Sequence, residues 1–276
     1  MIPGEDGKTP VIQNINPDRL RNIMDKVAYW FKPEKDPSDS ERTIRTPVFP
    51  PVPVINNMLA EPDNELPRLL RVSNVPLFGP GGELQQKPGY SENTNIYYHP
   101  IIGLNIPKVD KSPTKEQAIE ARDFIIDNLL VDFPFDCKHD DIMYSMCMLL
   151  EPFLKNMIHS FTPLYLIDKP MQGTGASLLA QCITQVVTGG RKDLAASINL
   201  KGGDAESDKK IFAMFRTAPV IFFLDNIVGN TLKNKRLIET MTSHSITDRV
   251  LGASEMATYP VNCTWIGTGN NPAIGS

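Results

Sequence analysis

Four things are missing from this chain, and each narrows what it does. No apolar run approaches the roughly 20 residues that a membrane-spanning helix needs, so no membrane role is expected. The opening MIPGEDGKTP has neither the basic start nor the apolar stretch of a secretory signal, which makes a cytoplasmic location the expectation. There is no excess of positive charge: the formal net charge is -4, so no global basic field draws nucleic acid, although a local basic strip stays open. Paired cysteines are also absent. Cys137, Cys147, Cys182 and Cys263 form no CxxC, and Cys137-Lys138-His139 has no second ligand pair nearby, so the four are expected to be buried thiols rather than metal ligands.

What is present divides the 276 residues in two. Seventeen of the 24 prolines fall within residues 1–113, which rules out a mostly helical amino-terminal part. Asn16-Pro17 predicts a capped helix carrying Leu20, Ile23, Met24 and Val27, and a second short helix covers 53–60. The polar stretch 32–41 reads as a linker. Short extended pieces at 69–75, 82–86 and 94–98 complete an α+β module over residues 1–112. Tyr90, Tyr97, Tyr98 and His99 there are either base-stacking residues or parts of a small sheet.

From residue 113 to 276 the texture becomes strand–loop–helix. Thr114 and Gln117 form a capping box, and a helix follows over 140–158 that Pro152 should kink or end. Apolar strands are expected at 164–167, 220–224 and 261–266, and helices at 177–188, 205–215 and 232–242. Alternation of this kind predicts an α/β fold with a parallel sheet flanked by helices.

Three motifs follow those strands. Lys169-Pro-Met-Gln172-Gly173-Thr174-Gly175-Ala176-Ser177 is like a phosphate-binding loop, G-x-x-x-x-G-K-[ST], with Ala176 in place of lysine and Pro170 in place of the first glycine. Loop amides at a helix start hold a phosphate without side-chain charge, whereas transfer chemistry normally needs a cation as well. The second motif, Ile221-Phe-Phe-Leu-Asp225-Asn226, ends an apolar strand in a carboxylate suited to Mg²⁺, and its plain alternative is a helix cap. The third, Trp265-Ile-Gly-Thr268-Gly-Asn270-Asn271-Pro272, sets amides at the end of a strand, with an Asn-Pro turn as the plain alternative.

In order and spacing the three resemble an AAA+ P-loop ATPase. DRVLG, TWIGTGNNP, FLDN and the upstream PGYSENTNIYYHP and PTKEQAIEARDFI resemble more narrowly the ATPase domains of phage and mobile-element primase-helicase replication proteins, over about residues 45–276. The resemblance implies an ATP-binding core, helicase- or translocase-like, acting on DNA as a hexameric ring. Gln172, Gly173, Thr174, Gly175 and Ala176 would then supply amides to the phosphates, and Ser177 and Asp225 would hold Mg²⁺. Asn226 and either Asn270 or Asn271 would orient water. The sequence departs from the family at Ala176, at Asn226 (often glutamate) and in ending at Ser276, before an arginine finger and lid. These departures keep two alternatives alive: a non-hydrolysing nucleotide-binding or structural remnant, and a DNA-binding adaptor. Three accounts of the missing charge stay open. The ammonium of Lys169 supplies it; Lys169 is solvated and merely caps its strand; or alanine was substituted deliberately, as is standard for inactivation. Arg249 is either a ring arginine or half of a surface ion pair with Asp248, and Lys209, Lys210, Lys233, Lys235 and Arg236 are DNA contacts or solvated helix faces.

Overall fold

The computed structural model describes residues 2–3, 10–12, 15–61, 67–171, 173–190, 195–198, 204–227, 231–250, 256–270 and 272. The chain divides into two units, Met1–Arg68 and Leu69–Ser276, so the change of texture at residue 113 falls inside the second.

In the first unit, β1 (Ile2–Pro3) pairs with β2 (Pro10–Val11). Helix α1 (Pro17–Val27) starts where expected, the Asn16 side chain accepting from the Arg19 N–H at 2.8 Å. The expected linker is instead an antiparallel hairpin, β3 (Phe31–Asp36) with β4 (Asp39–Pro47). Local side-chain bonds explain the difference. Asp36 accepts from the Ser38 N–H at 2.9 Å and closes the turn, Thr46 donates to Glu34 at 2.9 Å, and Arg45 lies 4.6 Å over the Phe31 ring. Polar cross-strand pairs make a hairpin out of a composition that looks like solvent-exposed coil. Helix α2 (Val52–Ala60) follows.

The second unit opens with β5 (Arg71–Ser73), β6 (Leu77–Phe78), β7 (Leu84–Gln85), β8 (Gly89–Ser91) and β9 (Ile96–Tyr98). Three of these form a small sheet in the order β5-β9-β8, and β6 pairs with β7. Tyr98 is 5% exposed and belongs to the core, and Tyr97 stacks on its neighbour His99. Helix α3 (Lys115–Ile125) carries both bonds of the Thr114–Gln117 box, and α4 (Lys138–Leu154) stops two residues after Pro152.

Next come β10 (Leu164–Lys169), α5 (Ala176–Thr188), β11 (Ala195–Ile198), α6 (Asp204–Met214), β12 (Ile221–Ile227), α7 (Lys235–Met241), the hairpin β13 (Ser245–Arg249) with β14 (Met256–Pro260), and β15 (Thr264–Asn270). Among the described residues four strands form a parallel sheet in the order β10-β15-β12-β11. Side chains alternate across it. Ile221 and Ile266 point to the face packed with Leu179 and Ile183 of α5 and Met148 of α4. Phe222, Leu224 and Trp265 point to the other face, with Ile211 of α6 and Leu237 of α7. Burial on both faces is why these strands read as near-continuous apolar runs.

The strand of the third motif was expected over 261–266, but β15 runs from Thr264 to Asn270. Gly267 and Gly269 lack a side chain for packing reasons. A Cβ at Gly267 would lie 2.6 Å from Ile227, and one at Gly269 2.8 Å from Pro272.

The expectation of four buried thiols holds for Cys263 only. Cys182 is half-buried, and Cys137 and Cys147 are exposed, because they sit at the start and on the outer face of α4. Under native conditions a maleimide read out by mass spectrometry is expected to modify Cys137 and Cys147 rapidly and to spare Cys263. Rapid labelling of Cys263 would contradict its burial. Among the described residues no group of three or more His, Cys, Asp or Glu is placed to hold a metal, and no helix is long and apolar enough to cross a membrane.

Candidate functional site

The strand of the third motif lies between the strands of the first two, β10-β15-β12, all parallel. Their carboxyl ends therefore share one edge of the sheet, where open α/β sheets bind ligands. Lys169 is in register with Asn270, and Ile167 with Thr268. Alternation settles which way these side chains project. Tyr165, Ile167 and Ile266 pack into the α4/α5 core, so Lys169, Thr268 and Asn270, each an even number of residues further on, continue that face beyond it, and the hydrogen bond from Thr268 brings Asp225 to the same side. This is also the side on which α5 begins.

The loop from Lys169 to α5 depends on two glycines. Gly173 and Gly175 have φ of +87° and +89°, a left-handed conformation that strains other residues. Gly175 is the N-cap and has no side chain to satisfy the first turn, so the amides at the start of a 13-residue helix are left for solvent or a ligand. Ala176 is buried and Ser177 is half-buried, while the Phe133 ring lies 3.6 Å from where a Cβ of Gly175 would stand. Gln172 and Asn271 lie outside the described residues.

Asp225 and Asn226 sit in a register shift of β12 against β15. The Thr268 hydroxyl occupies it. It donates to Asp225 Oδ1 at 3.2 Å and accepts from the Asn226 N–H at 3.2 Å. Thr268 is fully buried. Asp225 Oδ2 has no partner among the described residues. Asn226 has φ of +57°, and among non-glycine residues asparagine tolerates this region best. Local backbone thus gives a reason for asparagine here instead of the longer glutamate. Thr268 was named within the third motif but given no role of its own; the signal was a hydroxyl residue flanked by Gly267 and Gly269 late in the strand.

Two charged groups have other occupations. Asp248 pairs with Arg236 of α7 at 3.2 Å, and Arg236 also donates to the Thr247 carbonyl at 2.9 Å, so Arg236 ties α7 to the hairpin. Arg249 is exposed and is not the ion-pair partner of Asp248.

A cleft of about 1110 Å³ runs along β10 to Thr174–Ala176, walled by Phe133, Phe135, Tyr144 and Met148. It is largely apolar and adjoins the amide-rich loop, a pairing typical of small-molecule sites.

No protein-family model matches the chain. No curated protein matches it either. Among solved structures it shows a likeness to the A form apo structure of the NrS-1 C-terminal region, at 13% identity and a TM-score of 0.42. That likeness covers 94% of this chain and 58% of that one, so the chain spans little more than half its length.

Proposed function

We propose that the second unit binds ATP at the carboxyl edge of its parallel sheet and serves as an AAA+-type ATPase core in DNA replication by a phage or mobile element. The observation that carries the reading is the convergence of three sequence motifs on adjacent strands, with Lys169, Asp225 and Asn270 on one face beside the start of α5. On this reading the amides of Gly173–Ser177 take the phosphates, aided by the α5 dipole. Ser177 and Asp225 form an all-oxygen donor pair, the kind Mg²⁺ prefers, and Asp225 Oδ2 fits that role. Mg²⁺ bound there would neutralise phosphate charge. Asn226 and Asn270 orient water toward the terminal phosphate, and the core assembles as a ring on DNA.

A second reading, nucleotide binding without turnover, has its own support. Ala176 fills the lysine position with a buried methyl group, and Asn226 cannot accept a proton as glutamate does. Thermal shift with ATP and Mg²⁺ tests both readings. Nucleotide at a hundredfold excess over Kd is expected to stabilise the wild type by about 2.7 kcal/mol. Ala176→Lys should tighten binding. Lys169→Ala should weaken it by roughly tenfold or more if its ammonium replaces the missing charge. Unchanged affinity in Lys169→Ala rejects that relocation, and no response to any nucleotide rejects the ATP site. Phosphate release on adding single-stranded DNA separates the motor from the non-hydrolysing reading.

A further inference from the structure

The opposite, amino-terminal end of the parallel sheet holds a group of buried charges that the nucleotide site does not use. Glu151 comes from the last turn of α4 and Lys155 is its C-cap, Arg71 comes from β5, and Cys263 is the residue before β15. Their exposures are 6%, 7%, 3% and 1%. The Glu151 carboxylate is fully engaged: Oε1 accepts from the Thr264 hydroxyl at 2.8 Å and Oε2 from the Tyr165 hydroxyl at 2.9 Å. Lys155 donates to the Thr162 hydroxyl at 2.5 Å, and its Nζ stands 3.8 Å from Glu151 Oε1. Arg71 donates through Nη2 to the Asn262 carbonyl, while its Nε and Nη1 have no partner among the described residues.

Among the described residues the charges do not balance. Two cations face one carboxylate, and that carboxylate already accepts two hydroxyls. Cys263 does not make up the difference, since burial pushes its thiol up to about 12 and keeps it neutral. Burial lowers Arg71 to about 10, and Lys155 is lowered by burial and, in smaller part, by Arg71 itself. A buried cation without a counter-ion is among the costliest arrangements a fold can hold.

Beside the group lies a cavity of about 270 Å³, walled by Lys155, Thr162, Asn262 and Cys263 together with His159 and His244. Thr162 accepts from Lys155, so its own hydroxyl hydrogen is directed elsewhere and can serve a ligand. We propose that this cavity binds a small tetrahedral oxyanion of the phosphate class, with Lys155 and Thr162 contacting it directly and Arg71 supplying the charge behind the Asn262–Cys263 wall. A nucleic-acid backbone is the wrong occupant, because cations 3% and 7% exposed lie beyond the reach of a polymer. The site is separate from the carboxyl edge and does not rest on the ATP reading.

The test uses the full chain with inorganic phosphate as probe and chloride at matched ionic strength as control. Phosphate at a hundredfold excess over its Kd is expected to raise the wild-type Tm by roughly 5 °C. That rise should vanish in Arg71→Gln and in Lys155→Met, while any rise caused by ATP and Mg²⁺ persists in both. An equal phosphate response in wild type and variants overturns the proposal, since phosphate then binds elsewhere, such as at α5. No response in the wild type overturns it as well. If neither variant folds, the arginine Nε–Hε resonances of the wild type decide. One resonance moving saturably with phosphate and insensitive to ATP supports the site, and none moving sinks it.

Discussion

Asp225→Ala is expected to remove the Mg²⁺-dependent part of ATP binding while leaving the fold intact. Asp225 is half-buried at the end of β12, and its one described hydrogen bond is from Thr268, so truncation uncovers no large cavity. What disappears is the carboxylate beside the start of α5. ATP affinity should become the same with Mg²⁺ and with EDTA, a difference that calorimetry reads directly. Thr268→Val should give a graded result. It keeps the side-chain shape but deletes the hydroxyl that joins Asp225 to the Asn226 N–H. Losing that buried link costs about 1–3 kcal/mol of stability and frees Asp225 to rotate. The expected outcome is a lower Tm together with weaker Mg²⁺ dependence. An Asp225→Ala protein whose ATP binding still requires Mg²⁺ would mean that the metal site lies elsewhere.

Trp265→Ala is expected to produce the largest loss of stability, about 3–5 kcal/mol. Trp265 is 2% exposed, on an interior strand of the sheet. Its ring centroid lies 4.7 Å from Phe222 and 6.2 Å from Phe215, so a single truncation opens the contact between sheet and helices on that face. Urea denaturation should show a lower midpoint with an unchanged slope. Tyr144→Ala, at 68% exposure, is the control and should cost little. A Trp265→Ala loss below about 1 kcal/mol would contradict a close-packed core.

The elements that were legible in the sequence carry strong local signals. Asn16-Pro17, Thr114 with Gln117, and the run Val220–Leu224 each specify their structure within a few residues, through a cap, a box or burial on both faces. The elements that were missed lack such a signal. The hairpin over 31–47 is held by polar cross-strand pairs that composition does not show, and β11 has only Ala195, Ala196, Ser197 and Ile198 to announce it. In the site, the three motifs were visible as strings, and Asp225 was read as a ligand from its place after a strand. The Thr268 link was not visible, because it depends on the register of two strands distant in sequence. Gln172 and Asn271 lie outside the described residues, so the choice between Asn270 and Asn271 rests on register for Asn270 only.

The position of β15 bears on how the chain acquires its fold. Among the described residues it is an interior strand of the sheet, the last element in chain order, and the one strand that pairs with β10. During synthesis the ribosome delivers β10, then β11 and β12, before any strand can join the first to the others. Until β15 emerges, the apolar faces of β10 and β12 have no shared sheet to bury them, and Arg71 waits for a partner 191 residues downstream. Contacts of such long range slow folding and prolong exposure to aggregation. The four described strands therefore come together only once β15 is made, and a chain stopped short of Thr264 is expected to leave the apolar faces of β10 and β12 exposed.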